Sequence, residues 1–214
     1  MALTKIEASN IAAGAVASSG FNSVQIFTSG GTWTKPADIT KVIVEVQGAG
    51  GAGSYSAVNN TIGGGVAGGY VMAVLDVTDI TTCTVVVGAG GVGVASGSAG
   101  ASGGLASFTK LAGTGSFTAL SATGGTGNTT GSGQVGVGGS GPVGALIITS
   151  ANPGIGLDYE WEGGASKFGF GGQAAYTGYD PNPNATGYGS GGGGARSTTA
   201  GSGTDGLIIV WEYK

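Results

Sequence analysis

A chain of 214 residues with 50 glycines, 40% apolar residues and only 8% charged ones is long enough for one domain with its own core. Disordered chains carry high charge and few apolar residues, so this composition points to glycine used inside an ordered, closely packed object. A net charge of −4, seven scattered Lys and Arg residues, a single cysteine and no histidine exclude a basic nucleic-acid patch, an intrachain disulfide, and His-based catalysis or metal ligation.

Residues 1–22 show no strong periodicity. Glu7, Ser9, Asn10 and Gly14 break the apolar core that a signal peptide would need. The segment reads as an attachment arm that depends on a partner for order, and residues 23–214 read as the domain. No run of eighteen apolar residues occurs, so no membrane insertion is expected.

Strand signals then follow in order. They are Val24–Thr28, Lys41–Gln47, Tyr70–Thr78, Thr81–Val87, Ser107–Leu111, Ser116–Ser121, Ala145–Thr149 and Gly206–Tyr213. Each is short, rich in Val, Ile, Thr and aromatics, and bounded by Gly, Asn, Asp or Pro. No dozen-residue run has helical periodicity with caps. The expected class is all-β, built as a sandwich.

Many glycines fall three apart: Gly65 and Gly68; Gly97, Gly100 and Gly103; Gly133, Gly136 and Gly139; Gly138, Gly141 and Gly144; Gly203 and Gly206. Three residues per turn is the polyproline II period, and glycine at the crowded positions lets neighbouring helices touch. The glycines are therefore either mobile surface loops or a packed polyglycine II array. Free loops on this scale would cost much entropy for little burial, which favours the array.

Several motifs mimic chemistry. Gly48-x-Gly50-x-x-Gly53 follows a β-branched strand as in a dinucleotide fold, and Asp76 lies where a ribose-binding acid would sit. The sequence after Gly53 cannot form the required helix, and Gly88-x-Gly90-x-x-Gly93 repeats the pattern. Gly100-Ala-Ser102-Gly-Gly104 matches a nucleophile elbow but has no histidine base. Asp180-Pro-Asn182-Pro-Asn184 begins like a calcium loop, yet lacks the glycine at position six and the glutamate at position twelve, so an Asx/Pro turn is the favoured reading. Asp158, Glu160 and Glu162 could serve a glycosidase or lie on an exposed strand or loop. No cofactor and no enzymatic activity are expected.

Residues 155–190 hold seven of the sixteen aromatics amid Gly, Ser, Asn and Pro. Tyr and Trp in that setting are the composition of paratope-like loops, which gain contact area at low entropic cost. The candidate ligand-binding residues are Tyr159, Trp161, Phe168, Phe170, Tyr176, Tyr179, Asn182, Asn184 and Tyr188. The alternative is that these rings stack inside the sandwich or cap the glycine array.

Ordered blocks carry a family resemblance. Phe27-Thr-Ser-Gly-Gly-Thr-Trp33-Thr-Lys-Pro36, Lys41-Val-Ile-Val-Glu-Val-Gln-Gly-Ala-Gly-Gly, Gly68-Gly-Tyr-Val, Val85-Val-Val-Gly-Ala-Gly-Gly and Asp205-Gly-Leu-Ile-Ile-Val-Trp-Glu-Tyr213 together resemble the glycine-rich domain of bacteriophage tail-fibre and receptor-binding proteins. A more distant likeness is to the glycine-rich ectodomain of anaplastic lymphoma kinase. The resemblance implies a jelly-roll-like sandwich with inserted polyglycine II segments, in a virion adhesin that is commonly a homotrimer. It implies a host receptor, either a surface glycan or an outer-membrane protein, as ligand. No long shaft precedes the domain, so a tip or small appendage joined to another virion protein through residues 1–22 is expected. The alternatives are a non-adhesive capsid decoration or head fibre, and an enzyme degrading host polysaccharide.

Overall fold

The computed structural model describes residues 20–56, 62–95, 99–128, 146–149, 162–176, 182–196 and 198–214. These residues are all-β. Five strands form one antiparallel sheet: β1 (Phe21–Phe27), β11 (Leu207–Tyr213), β3 (Lys41–Gln47), β5 (Tyr70–Asp76) and β9 (Ile147–Thr149), in that spatial order. A second sheet runs β2 (Gly31–Thr34), β6 (Ile80–Val86), β7 (Ala106–Gly113) and β8 (Leu120–Ala122). A short parallel pair joins β10 (Ala195–Arg196) to β4 (Tyr55–Ser56). The chain alternates between the sheets over β1, β2 and β3, as in a jelly roll.

The two large sheets face each other across one core. Val42, Val44 and Val46 of β3, Val71, Ala73 and Leu75 of β5, and Ile208 and Val210 of β11 meet Trp33, Cys83, Val85, Phe108 and Leu120 of the opposite sheet. The period-two alternation of these strands puts every second side chain inward, and β-branched residues suit that pleated surface. Phe108 anchors the far sheet, edge-on to Trp33 at 5.8 Å and stacked on Phe117 at 5.9 Å. One carboxylate enters this interior. Glu212 is fully buried, and its oxygens accept hydrogen bonds from Trp33 Nε1 (2.8 Å), Gln25 Nε2 (2.6 Å) and Ser23 Oγ. Such satisfaction is what makes a buried polar group tolerable.

The expected strands form with adjusted ends. The segment read as Tyr70–Thr78 stops at Asp76, because Asp76 Oδ1 turns back to accept the Thr78 N–H (2.9 Å). The segment read as Ser116–Ser121 pairs only from Leu120. Strands β2, β4 and β10 were not legible, since glycines or single short pairs interrupt their apolar patterns. Strand β1 begins at Phe21, inside the segment read as an arm; residues 1–19 lie outside the described residues.

At one end of the sandwich, strands of both sheets run on into glycine-rich segments that pack together. Residues 48–54, continuing β3, form the hub. Gly48, Gly51 and Ser54 donate to carbonyls of residues 69, 66 and 63; Ala49 and Ala52 donate to residues 104 and 101; Gly50 and Gly53 donate to residues 204 and 201. In return, carbonyls of the hub accept from Gly91, Gly125, Asn128 and Gly192. Successive residues address different neighbours and every third residue the same one, as a three-residue helical turn requires. The hub therefore touches six neighbouring segments, and all six belong to the same chain. The sequence left open whether neighbouring chains supply such partners; here one chain builds the array.

The glycines are required by that closeness. A Cβ on Gly65 or Gly68 would lie 2.1 or 2.0 Å from carbonyl oxygens of the hub, and one on Gly203 would lie 2.2 Å away. The dinucleotide-like motif is part of the same device. Added Cβ atoms at Gly48, Gly50 and Gly53 would each fall within 2.1 Å of a neighbouring carbonyl oxygen. Ser102 of the elbow-like motif accepts the Gly127 N–H (3.2 Å) inside the array, which is a structural role.

Candidate functional site

Beside the array, two chain segments form an open groove of about 510 Å³ lined by residues 166–170 with Thr186 and Gly187. The first segment leaves the array at Gly163 and Gly164 and returns at Gly172. Gly163 and Gly172 are bonded to each other (2.9 Å), Gly164 donates to Gly65, and Gly172 donates to Gly191. Between these anchors the chain makes a tight turn. Ser166 N–H donates to the Gly169 carbonyl (3.1 Å), and the Ser166 hydroxyl accepts the Phe168 N–H (3.0 Å).

The second segment lies alongside. Thr186 N–H donates to Phe170 O (3.0 Å) and Tyr188 N–H donates to Phe168 O (3.2 Å). Gly187 and Gly189 flank Tyr188 with φ of 74° and 76°, the left-handed region that side chains disfavour. At Gly187 a Cβ would also strike the Phe168 carbonyl at 2.1 Å, so the two groove walls approach as closely as backbone allows.

The groove stands on a polar cluster at the outer face of the five-stranded sheet. Glu45, in the middle of β3, is buried. It accepts from Trp211 Nε1 (2.9 Å), Tyr70 Oη (2.6 Å) and the Lys167 ammonium. Lys167 also lies 2.6 Å from Tyr70 Oη and above the Tyr70 and Phe168 rings, at 4.5 and 5.2 Å from their centroids. Burial pushes the Glu45 carboxyl up. The hydrogen bonds from Lys167, Tyr70 and Trp211, with the Lys167 charge, outweigh that and hold it below the usual carboxylate range. The Tyr70 phenol is pushed well up, by burial first and then by its bond to the Glu45 carboxylate. The cluster is thus a neutralised ion pair with its aromatic neighbours, and it fixes the turn that carries Phe168 and Phe170.

The expected site residues separate into three groups. Phe168 and Phe170 line the groove, and Phe170 is 78% exposed. Tyr188 is paired with Phe168 across the wall. Tyr176 is exposed but is not part of the groove lining. Asn182 and Asn184 are exposed, and their side-chain oxygens serve the backbone. Asn182 Oδ1 accepts Asn184 N–H (3.1 Å) and Asn184 Oδ1 accepts Ser202 N–H (2.9 Å). That is the Asx turn, made here by the residues that resembled a calcium loop. Tyr159, Trp161 and Tyr179 lie outside the described residues, as do Asp158, Glu160 and Asp180. No group of three or more Asp, Glu, Cys or His side chains is placed to hold a metal among the described residues.

Ser166, Lys167 and Thr186 were missed. The usable signal was Glu45, a charge in the centre of the β-branched run Val42–Val46. Such a residue calls for a cation, and the chain holds only seven.

These features define a glycine-rich β-sandwich whose polyglycine II array carries a small aromatic groove. The family profile described as a glycine-rich domain matches residues 26–213, so the chain belongs to that family. No match was found among curated proteins.

Proposed function

We propose that this chain is a phage virion structural protein, a tail-fibre tip or receptor-binding adhesin, whose groove at residues 166–170 and 186–187 binds a saccharide of the host surface. The observation that carries the reading is Phe170. A phenyl ring 78% exposed on a turn anchored at both ends to the array presents apolar contact area at little entropic cost. Around it, the exposed Thr186 side chain and backbone offer the polar groups that a sugar ring needs beside an apolar face. The groove has the volume of a small-ligand site. The resemblance of the ordered blocks to phage adhesins supports the virion context; the family match supports the glycine-rich domain itself. The role is one of binding, without catalysis, and the residues before β1 join the domain to another virion protein.

The test is binding of the purified chain to host envelopes and to a glycan array, for the parent and for Phe170→Ala. The substitution should weaken binding at least about tenfold, the loss of roughly 1.4 kcal/mol of ring contact, with an unchanged melting temperature. Equal binding by both proteins overturns the assignment of the groove.

A further inference from the structure

The two sheets have different outer faces. On the four-stranded sheet the outward positions are mostly hydroxyl-bearing, with Thr32 and Thr34 of β2, Thr82 and Thr84 of β6, and Ser107 and Thr109 of β7, beside the exposed Val86 and Leu111. On the five-stranded sheet the outward positions of β1, β11 and β5 are apolar instead, apart from Asp76 at the end of β5. Phe21, Val24, Ile26 and Val74 are 59%, 39%, 60% and 47% exposed, and Trp211 and Tyr213 lie half-buried between them. Phe21 contacts both of those rings, at 6.2 and 6.0 Å. Among the described residues, the turn bearing Lys167 covers the array end of this face, over Glu45 and Tyr70, and leaves the rest uncovered.

We infer that this face of β1, β11, β3 and β5, bare among the described residues, is the surface through which the chain associates with a second copy of itself. Charge fits that occupant. Glu45 is neutralised by Lys167, and the rim pairs Lys41 with Asp76 in register, so both signs are present and a copy meets no net repulsion. Composition fits as well, because Phe, Trp and Tyr are the residues enriched at the buried centres of interfaces. The uncovered part is the end of the face away from the array, where Phe21, Val24, Ile26 and Val74 stand exposed around Trp211 and Tyr213. Strand β1 is also a sheet edge with no proline or lysine to discourage a neighbour. The inference stands on the sheet alone and is independent of the groove's ligand.

Sedimentation velocity on the full chain, from micromolar to submillimolar concentration, tests it with two matched double variants. Val24→Lys/Ile26→Lys puts like charges on the apolar face at exposed positions. Thr32→Lys/Thr34→Lys adds the same charge to the opposite sheet. The parent and the threonine variant should form the same oligomer, and the first variant should dissociate at concentrations at least about tenfold higher, with thermal unfolding matching the threonine variant. A parent that is monomeric throughout overturns the inference and leaves the face to a different partner or to the chain's own remaining residues. An oligomer that both variants preserve equally overturns it too, since the contact then lies elsewhere.

Discussion

Replacing Gly50 by alanine should be among the most damaging single-methyl changes available in this protein. The added carbon would sit 1.9 Å from the Ser190 carbonyl oxygen and 2.3 Å from the carbonyl carbon. Ordinary contact needs about 3.5 Å, so the Ser190 segment must retreat by roughly 1.5 Å. That segment is tied to the array by Gly192 N–H to Gly51 O (2.9 Å) and Thr204 N–H to Ser190 O (2.9 Å). A retreat of that size takes such bonds beyond hydrogen-bonding range. Two lost bonds in a water-free site cost about 1–3 kcal/mol each, and residual overpacking adds about 1 kcal/mol, for a total of about 3–7 kcal/mol. The midpoint of thermal unfolding should fall by roughly 6–28 °C for a chain of this length. Ala49→Gly is the control. Its buried methyl already fits, so removing it should cost only about 1–2 kcal/mol, through lost transfer energy and a more flexible unfolded chain. Urea titration followed by tryptophan fluorescence, alongside thermal scans, measures both. A Gly50→Ala protein within about 1 kcal/mol of the parent, or less affected than Ala49→Gly, would refute the close-packed array.

Two predictions concern titrating groups. Burial pushes the Cys83 thiol up to about 12 from 9.0, and the residue is fully enclosed in the core. A disulfide reagent at pH 8 should therefore label it only after unfolding. Between pH 9 and about 12 the unfolded thiol alone ionises, so this group lowers stability as pH rises. Rapid labelling of the native protein would contradict the packing of the core. Glu45 works in the opposite direction. Its folded value lies below 4.5, so its contribution is present above that pH and disappears as acid protonates the folded carboxylate. Lys167→Met should bring acid unfolding in at higher pH and cost about 1–2 kcal/mol at neutrality, a modest figure because the lysine is half exposed. An acid-unfolding curve superimposable on the parent's would show that the pair contributes nothing.

The array was legible because its geometry forces a local period. Of the glycines spaced three apart, Gly65, Gly68, Gly100, Gly103, Gly203 and Gly206 all point at the segment 47–53. A three-residue turn brings each third position to the same neighbour, so one crowded contact line becomes a spacing in the sequence. The identity of the hub was not legible, since choosing among parallel segments is a long-range matter with no local trace. The strand interiors were legible for a similar reason: Val42, Val44 and Val46 alternate as one buried face demands. The outer face of the same sheet was not, because Val24, Ile26 and Trp211 look alike whether they face a core or stand in the open. The groove was legible only as a composition. Phe170 and Tyr188 carry the same aromatic signal, yet one stands out from the groove wall and the other is held by the backbone pairing of Phe168. Lys167 and Glu45 are 122 residues apart, and only folding brings the turn onto the sheet.

The same physics links the array to the groove. A polyglycine II bundle satisfies backbone donors and acceptors between segments, so it can be rigid without long side chains filling its interior. Segments that leave it do so from fixed points. Gly163 and Gly172 are bonded to each other at the base of the Phe168 turn, and Pro183 O accepts Gly193 N–H (2.8 Å) at the base of the Thr186 segment. A turn clamped this way can vary in sequence at its tip while the clamp stays glycine. Much of the cost of ordering the tip is then met when the domain folds rather than when ligand binds. The arrangement therefore separates two requirements on the chain. The period-three glycines are constrained because an added Cβ would fall about 2 Å from neighbouring backbone, whereas the Phe170 ring, 78% exposed on its anchored turn, is under no such packing constraint.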